Sequence, residues 1–239
     1  MELANRRNMI ILHDFRLSRQ AVATLGKYGE TLAFDAQSVI HFAPLAGHPD
    51  LFCCTGLPAP VLAPNTPAYI INKLKSQNID FQFGKTFVGD SKDTISAYNV
   101  TVSSSFVIHH RRYTDPMIAQ NLQGKTYIHI KQSFARCSTM ALPGDRFITS
   151  DKAVSASLAK MNIDCLYVHP EQIVLPGLNY GLIGGCMGVW KNQVFVSGSL
   201  NSMADGEKIR TWLRHHGFEV VELDQGPLMD GGGILFVGN

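Results

Sequence analysis

His48-Pro49-Asp50 puts an imidazole and a carboxylate two residues apart, with proline fixing the backbone between them. Such a pair could act as general base and orienter. The same tripeptide also reads as a turn, with Asp50 capping and His48 exposed. Cys137 stands between Arg136 and Ser138. A guanidinium beside a thiol favours the thiolate, which makes Cys137 the better nucleophile candidate; its alternative is a small buried hydrophobe. Cys186, between Gly185 and Met187, has no charged neighbour and reads either as a ligand contact or as filler among glycines. Asp230 precedes three glycines, where it could meet a cationic ligand or accept turn hydrogen bonds. Cys53, Cys54 and Cys165 lie in apolar runs and are expected in the core. His109-His110 and His215-His216 fall at element ends and are expected at the surface, the second pair complementing a helix dipole.

Other chemistries find no support. The chain has five cysteines, an odd number, and Cys53 and Cys54 are adjacent. No Cys-x-x-Cys pair occurs and no cysteine–histidine set has zinc spacing, so neither a disulfide nor a metal is expected. The glycine clusters lack the G-x-G-x-x-G form and open no helix, so no dinucleotide, P-loop or other cofactor is expected. The formal charge is +2 over 239 residues, and Arg6-Arg7 and Arg111-Arg112 are too short for a basic patch. That gives no argument for nucleic acid or for an acidic membrane. The apolar run Met9 to Leu12 is short for a signal peptide, and no stretch approaches a membrane span. A cytoplasmic protein is expected. Only 17% of the residues are charged, below the usual figure of about 25%, so a large share of the chain should be buried in one domain spanning residues 1–239.

The elements that would position these residues recur. Residues 146–151 read as a strand ending in a cap, 151–161 as a helix with Ala153, Val154, Leu158 and Met161 at helical spacing, and 165–168 as a strand. GGCMGVW (184–190) follows. The order then repeats: strand 193–198, helix 206–216 with Ile209, Trp212 and Leu213 on one face, Gly217 as C-cap, strand 218–223, and finally GGGILFV. Traced backwards, strands fall at 106–110, 126–130 and 136–142, with a helix over 115–122 begun by Asp115-Pro116. A helix at 66–77, a strand at 79–83 and ISAYNVTVSS (95–104) form another unit. Strand 9–12, helix 18–29 capped by Ser18, strand 31–34 and GHPDLFCC (47–54) form the first. This makes five units of about 48 residues. If they surround a pseudo-fivefold axis, the final strand of each lies where backbones crowd, and small residues are favoured there.

A five-unit chain with glycine-rich inner strands resembles the pentein superfamily, the five-module α/β propeller of arginine deiminases, agmatine deiminases, dimethylarginine hydrolases and amidinotransferases. GHPDLFCC, RCST and YGLIGGCMGVW are similar to an uncharacterised bacterial branch of that fold. The resemblance implies a nucleophilic cysteine on the last inner strand after a run such as GGG-I-H-C. Here Gly231-Gly232-Gly233 lead to Ile234, Leu235 and Phe236, and neither Leu235 nor Phe236 can attack. A histidine and carboxylate are implied in unit four, where Gly184-Gly185-Cys186-Met187-Gly188 stands, and a carboxylate in unit two, where Tyr98-Asn99 stands. Deimination of free arginine or agmatine by the usual mechanism is therefore not expected.

By repeat position, the inner strands bring His48 and Asp50, Asn99 and Thr101, Arg136, Cys137 and Ser138, Cys186, and Asp230 toward one axis. The expectation is a protein that binds or acts on a small amino-acid-like, guanidino or amidine ligand in a central cavity. Cys137, His48 and Asp50 would carry the chemistry. Asn99, Arg136, Ser138, Cys186 and Asp230 would line the site, with Arg136 holding a ligand carboxylate. The alternative is a non-catalytic pentein acting through its outer surface, as a protein-binding or oligomeric regulatory protein.

Overall fold

The computed structural model describes residues 9–238; Arg6-Arg7 lie outside them. Five three-stranded sheets make up the fold, and all five share one plan. In each, the middle strand pairs antiparallel with an inner strand and parallel with an outer one. Parallel neighbours need a crossover, and in four of the five modules one amphipathic helix of two turns or more provides it.

In chain order, β1 (Ile10–Asp14), α1 (Arg19–Leu25) and β2 (Glu30–Phe34) begin the first module. The second holds β3 (Cys53–Cys54), β4 (Val61–Leu62), α2 (Ala68–Ser76) and β5 (Gln82–Phe83). A single turn, α3 (Lys92–Ile95), leads to β6 (Thr101–Val102), β7 (Phe106–His109), the short α4 (Pro116–Gln120) and β8 (Thr126–His129). Another single turn, α5 (Ala135–Ser138), leads to β9 (Thr139–Leu142), β10 (Arg146–Thr149), α6 (Lys152–Lys160) and β11 (Cys165–Tyr167). The last module has β12 (Met187–Trp190), β13 (Gln193–Val196), α7 (Gly206–His215) and β14 (Glu219–Glu222). Finally β15 (Leu235–Val237) returns to pair with β1, as Leu12 faces Leu235.

The units read from sequence are thus shifted by one strand. Each final strand belongs to the sheet of the following unit, through a hairpin, and the last one closes on the first. Two further differences are local. Residues 136–138 are helical rather than extended, and strand 79–83 shortens to Gln82–Phe83. The two-residue β4 is too short to show alternation in the sequence.

Helix starts follow local chemistry. The side chains of Ser18, Asp115 and Asp151 accept from backbone N–H groups of their first turns, which satisfies donors that the helix leaves unpaired. Each longer helix buries one pair at i, i+4: Ala21/Leu25, Ile70/Leu74, Val154/Leu158 and Ile209/Leu213. Ala153 and Met161 face solvent. Middle strands are buried almost throughout, whereas outer β5 is exposed and β14 half-buried.

At the centre, the inner segments touch in cyclic order. Thr101 Oγ1 donates to Thr139 O at 3.0 Å, Arg136 donates to Met187 O at 2.9 Å, and Ile234 N donates to Met187 O at 3.1 Å. A Cβ on Gly232 would sit 2.5 Å from His48 Cβ, and one on Gly56 would sit 2.9 Å from Val102 O. The two glycine clusters bond to each other: Gly231 N and Gly233 N both donate to Gly185 O, at 3.0 and 2.8 Å.

Closure by β15 has a measurable consequence. Leu235 is buried in a core shared with Leu12, Leu51, Val61 and Val107. Leu235→Ala is expected to cost about 2–5 kcal/mol of global stability by urea unfolding. An unchanged unfolding midpoint would mean that the C-terminal strand merely frays.

Candidate active site

The site starts from two short helical turns and one glycine-led strand. Pro49 begins a single 3-10 turn over Pro49–Leu51, and this turn carries Asp50 inward with His48 at its cap. Both are buried, at 0 and 1% exposure, so the exposed-turn reading of this tripeptide does not hold. Asn99 clamps the second turn: its Oδ1 accepts from Arg136 N at 2.8 Å and from Cys137 N at 3.2 Å. Its Nδ2 donates to Cys137 Sγ at 3.2 Å. The thiol in turn donates to Asp50 Oδ2 at 3.0 Å and lies 3.8 Å from His48 Nδ1. The other histidine nitrogen, Nε2, lies 4.0 Å from Asp230 Oδ1. Asp230 is held by Leu182 N on Oδ2, at 2.8 Å, and by Gly232 N on Oδ1, at 3.2 Å.

Five of the expected residues therefore converge: His48, Asp50, Asn99, Cys137 and Asp230. The glycines make room for them. A Cβ on Gly185 would lie 1.8 Å from Asp230 Oδ1, and Gly232 adopts φ +70°, a conformation other residues rarely take.

Three expected residues do not join. Ser138 donates to Ala135 O at 3.1 Å, within its own helical turn. Cys186 donates to Leu182 O at 3.4 Å and packs with Ile183, Met187 and Val196 in an apolar core. Arg136 donates to Gly184 O at 2.6 Å and to Met187 O at 2.9 Å, so its guanidinium ties two inner segments together. Elsewhere, His109 is buried rather than exposed, between Thr114 Oγ1 and Ser133 O, and Cys165 is only half-buried.

Burial sets the electrostatics. It pushes the Asp50 carboxyl up to about 6, against the opposing charge of Arg136. It raises Asp230, opposed by His48, and lowers His48, opposed by Asp230 and Asp14. The Cys137 thiol is raised by burial and then by Asp50 and Asp230, the reverse of the thiolate expected from Arg136 beside it in sequence. Every shift favours the neutral form. The 4.0 Å approach of His48 and Asp230 is accordingly a proximity, too long for a hydrogen bond.

A third buried carboxylate went unnoticed in the sequence. Asp14 ends β1, and the Arg16 guanidinium grips both its oxygens, then reaches Ala43 O and Pro44 O. The signal is a charged residue closing the run Ile10-Ile11-Leu12-His13, followed at i+2 by arginine. Gly177 packs on Pro44, so the loops 43–47 and 177–182 meet at this end. A cavity of about 230 Å³ is lined from all five inner segments, by residues including Thr55, Thr101, Ala141, Val189 and Phe236. Of the residues expected at the axis, Thr101 and Arg136 line it.

The chain belongs to the family of unknown function (DUF6873), whose model matches residues 12–235. No curated protein matches it in sequence. Two of the solved structures that share its fold illustrate the likeness. One is DDAH from Pseudomonas aeruginosa, a cysteine-to-serine mutant complexed with citrulline; identity is 10% and the TM-score 0.54, covering 90% of this chain and 91% of that one. The other is a dimethylarginine dimethylaminohydrolase adduct with 4-chloro-2-hydroxymethylpyridine, at 10% identity and TM-score 0.55, covering 95% and 98%. The fold is pentein-like, as the resemblance implied. No helix among the described residues is long and apolar enough to cross a membrane.

The cluster predicts a pH signature. Asp50 has a folded pKa above the ordinary carboxylate value, so between about pH 4 and 6 the folded state binds the extra proton. Its favourable contribution is present at low pH and is lost as pH rises through about 6. Asp50→Asn is therefore expected to be more stable than wild type at pH 7, by on the order of 2–3 kcal/mol, with the gain vanishing below about pH 4. His109, depressed to about 4 by burial, slopes the other way, but it is common to both proteins and cancels in their difference. A variant less stable than wild type at pH 7 would refute the assignment.

Proposed function

We propose that this member of the family of unknown function takes the amidine or guanidinium end of a small, amino-acid-like molecule into the buried cluster and acts on it through Cys137. The observation that carries this reading is the arrangement of Cys137 Sγ, 3.0 Å from Asp50 and 3.8 Å from His48 Nδ1, with Asp230 beside the other histidine nitrogen. Asp50 and Asp230 supply two carboxylates for a planar cation, and a bound cation lowers the cost of ionising them. His48 takes the thiol proton as sulfur bonds to the amidine carbon, then returns it to the departing amine; water releases the product. Asn99 holds the thiol in place.

The site differs in origin from a cysteine on the last inner strand. Phe236 is on that strand, and the thiol comes from α5, which leads into β9. The dimethylarginine dimethylaminohydrolase named among the similar structures sets the substrate class by analogy of fold alone. The alternative of an outer-surface function draws no comparable geometric support.

The reading is tested with two alkylating agents of matched size, 2-chloroacetamidine, which is cationic, and chloroacetamide, which is neutral. The cationic reagent is expected to label Cys137 at least about tenfold faster, a preference worth about 1.4 kcal/mol. Peptide mass spectrometry would place the label on Cys137, and Asp50→Asn and Asp230→Asn would each erase the preference. Equal rates, or labelling confined to the half-buried Cys165, would sink the proposal.

A further inference from the structure

We infer that His48, Cys137 and Asp230 form a binding site for one divalent transition-metal ion of the zinc type. One ligand atom from each residue lies within 4.8 Å of the other two, and all three residues are buried. Two buried polar atoms at this point have no hydrogen-bond partner, His48 Nε2 and Asp50 Oδ1. Leaving such an atom unpaired is unfavourable, and an ion bound through the histidine nitrogen removes that penalty for His48.

The donor set selects the metal. Imidazole, thiolate and carboxylate together suit zinc and its neighbours in the first transition row, while calcium and magnesium prefer oxygen alone. Charge balance points the same way. A dication is matched by one thiolate and one carboxylate, with His48 neutral, so no net charge is buried. The released thiol proton has an acceptor in place, since Asp50 Oδ2 already receives the Cys137 S–H at 3.0 Å. Outer contacts orient the ligands: Asn99 on Cys137, and Leu182 N and Gly232 N on Asp230. Three protein ligands leave a fourth tetrahedral position open.

No local spacing announces such a site, because its ligands come from three inner segments far apart in the chain. A bound ion uses Cys137 Sγ as a ligand, so metal-loaded and amidine-attacking forms exclude each other, and the metal test below needs no substrate.

The experiment is a cobalt(II) titration of the reduced, chelator-treated full chain. One equivalent is expected to bind, with a thiolate-to-cobalt charge-transfer band and the strong visible bands of tetrahedral cobalt, all displaced by zinc. Cys137→Ser is expected to remove the charge-transfer band, and His48→Gln and Asp230→Asn to weaken binding by at least about 100-fold, the upper end for loss of an outer-shell contact. Cys186→Ser is expected to change nothing. Circular dichroism checks that each variant is folded. If a variant is not, X-ray absorption of zinc-loaded wild type decides alone, with one sulfur expected at about 2.3 Å and nitrogen or oxygen at about 2.0–2.2 Å. No charge-transfer band in wild type, a band that persists in folded Cys137→Ser, or a zinc shell without sulfur would each overturn the inference.

Discussion

The approach of the two glycine clusters governs this molecule. Gly185 O accepts hydrogen bonds from both Gly231 N and Gly233 N, and a Cβ on Gly185 would collide with the Asp230 carboxylate. The inner segments crowd at these glycines, where a Cβ on Gly185, Gly188 or Gly232 would collide with its neighbours. Glycine lets them meet, and the space it leaves is filled by the few polar side chains directed inward. The antiparallel pairing of β15 with β1 then holds the last module to the first.

Crowding also explains the electrostatics. A close-packed centre holds little water, so charge there is costly unless matched. The protein answers in two ways. Asp14 is paired outright, with both oxygens on Arg16. Asp50, Asp230, His48 and Cys137 are instead displaced toward their neutral forms. The second group leaves two buried polar atoms without partners, an arrangement that disfavours the resting protein and favours whatever supplies the missing contacts. The same property underlies both an amidine and a metal ion as occupants, since each brings positive charge to unpaired acceptors.

Arg136 shows how a residue's surroundings reassign it. Beside Cys137 in sequence, it promised a thiolate and an anion clamp. In the fold its guanidinium ties α5 to the fourth inner segment through Gly184 O and Met187 O. Its work is to join two modules, and the burial of the thiol outweighs its charge.

Much was legible before the structure. Helix positions followed from apolar pairs at i, i+4 and from Ser18, Asp115 and Asp151, whose short side chains accept from the free backbone N–H groups of a first turn. The paired glycine clusters announced a crowded axis, and repeat position alone brought His48, Asp50, Asn99, Cys137 and Asp230 together. These features rest on local periodicity and on a repeat, both written along the chain. What the sequence could not decide was anything set through space. Which sheet each final strand joins depends on pairing partners in the next module. Whether His109 is buried depends on Ser133 and Thr114 closing over it. Whether Cys137 is thiol or thiolate depends on desolvation and on Asp50, 87 positions away in the chain. Burial is a property of the packed whole, so only the tertiary structure could assign it, and with it the protonation state of the site.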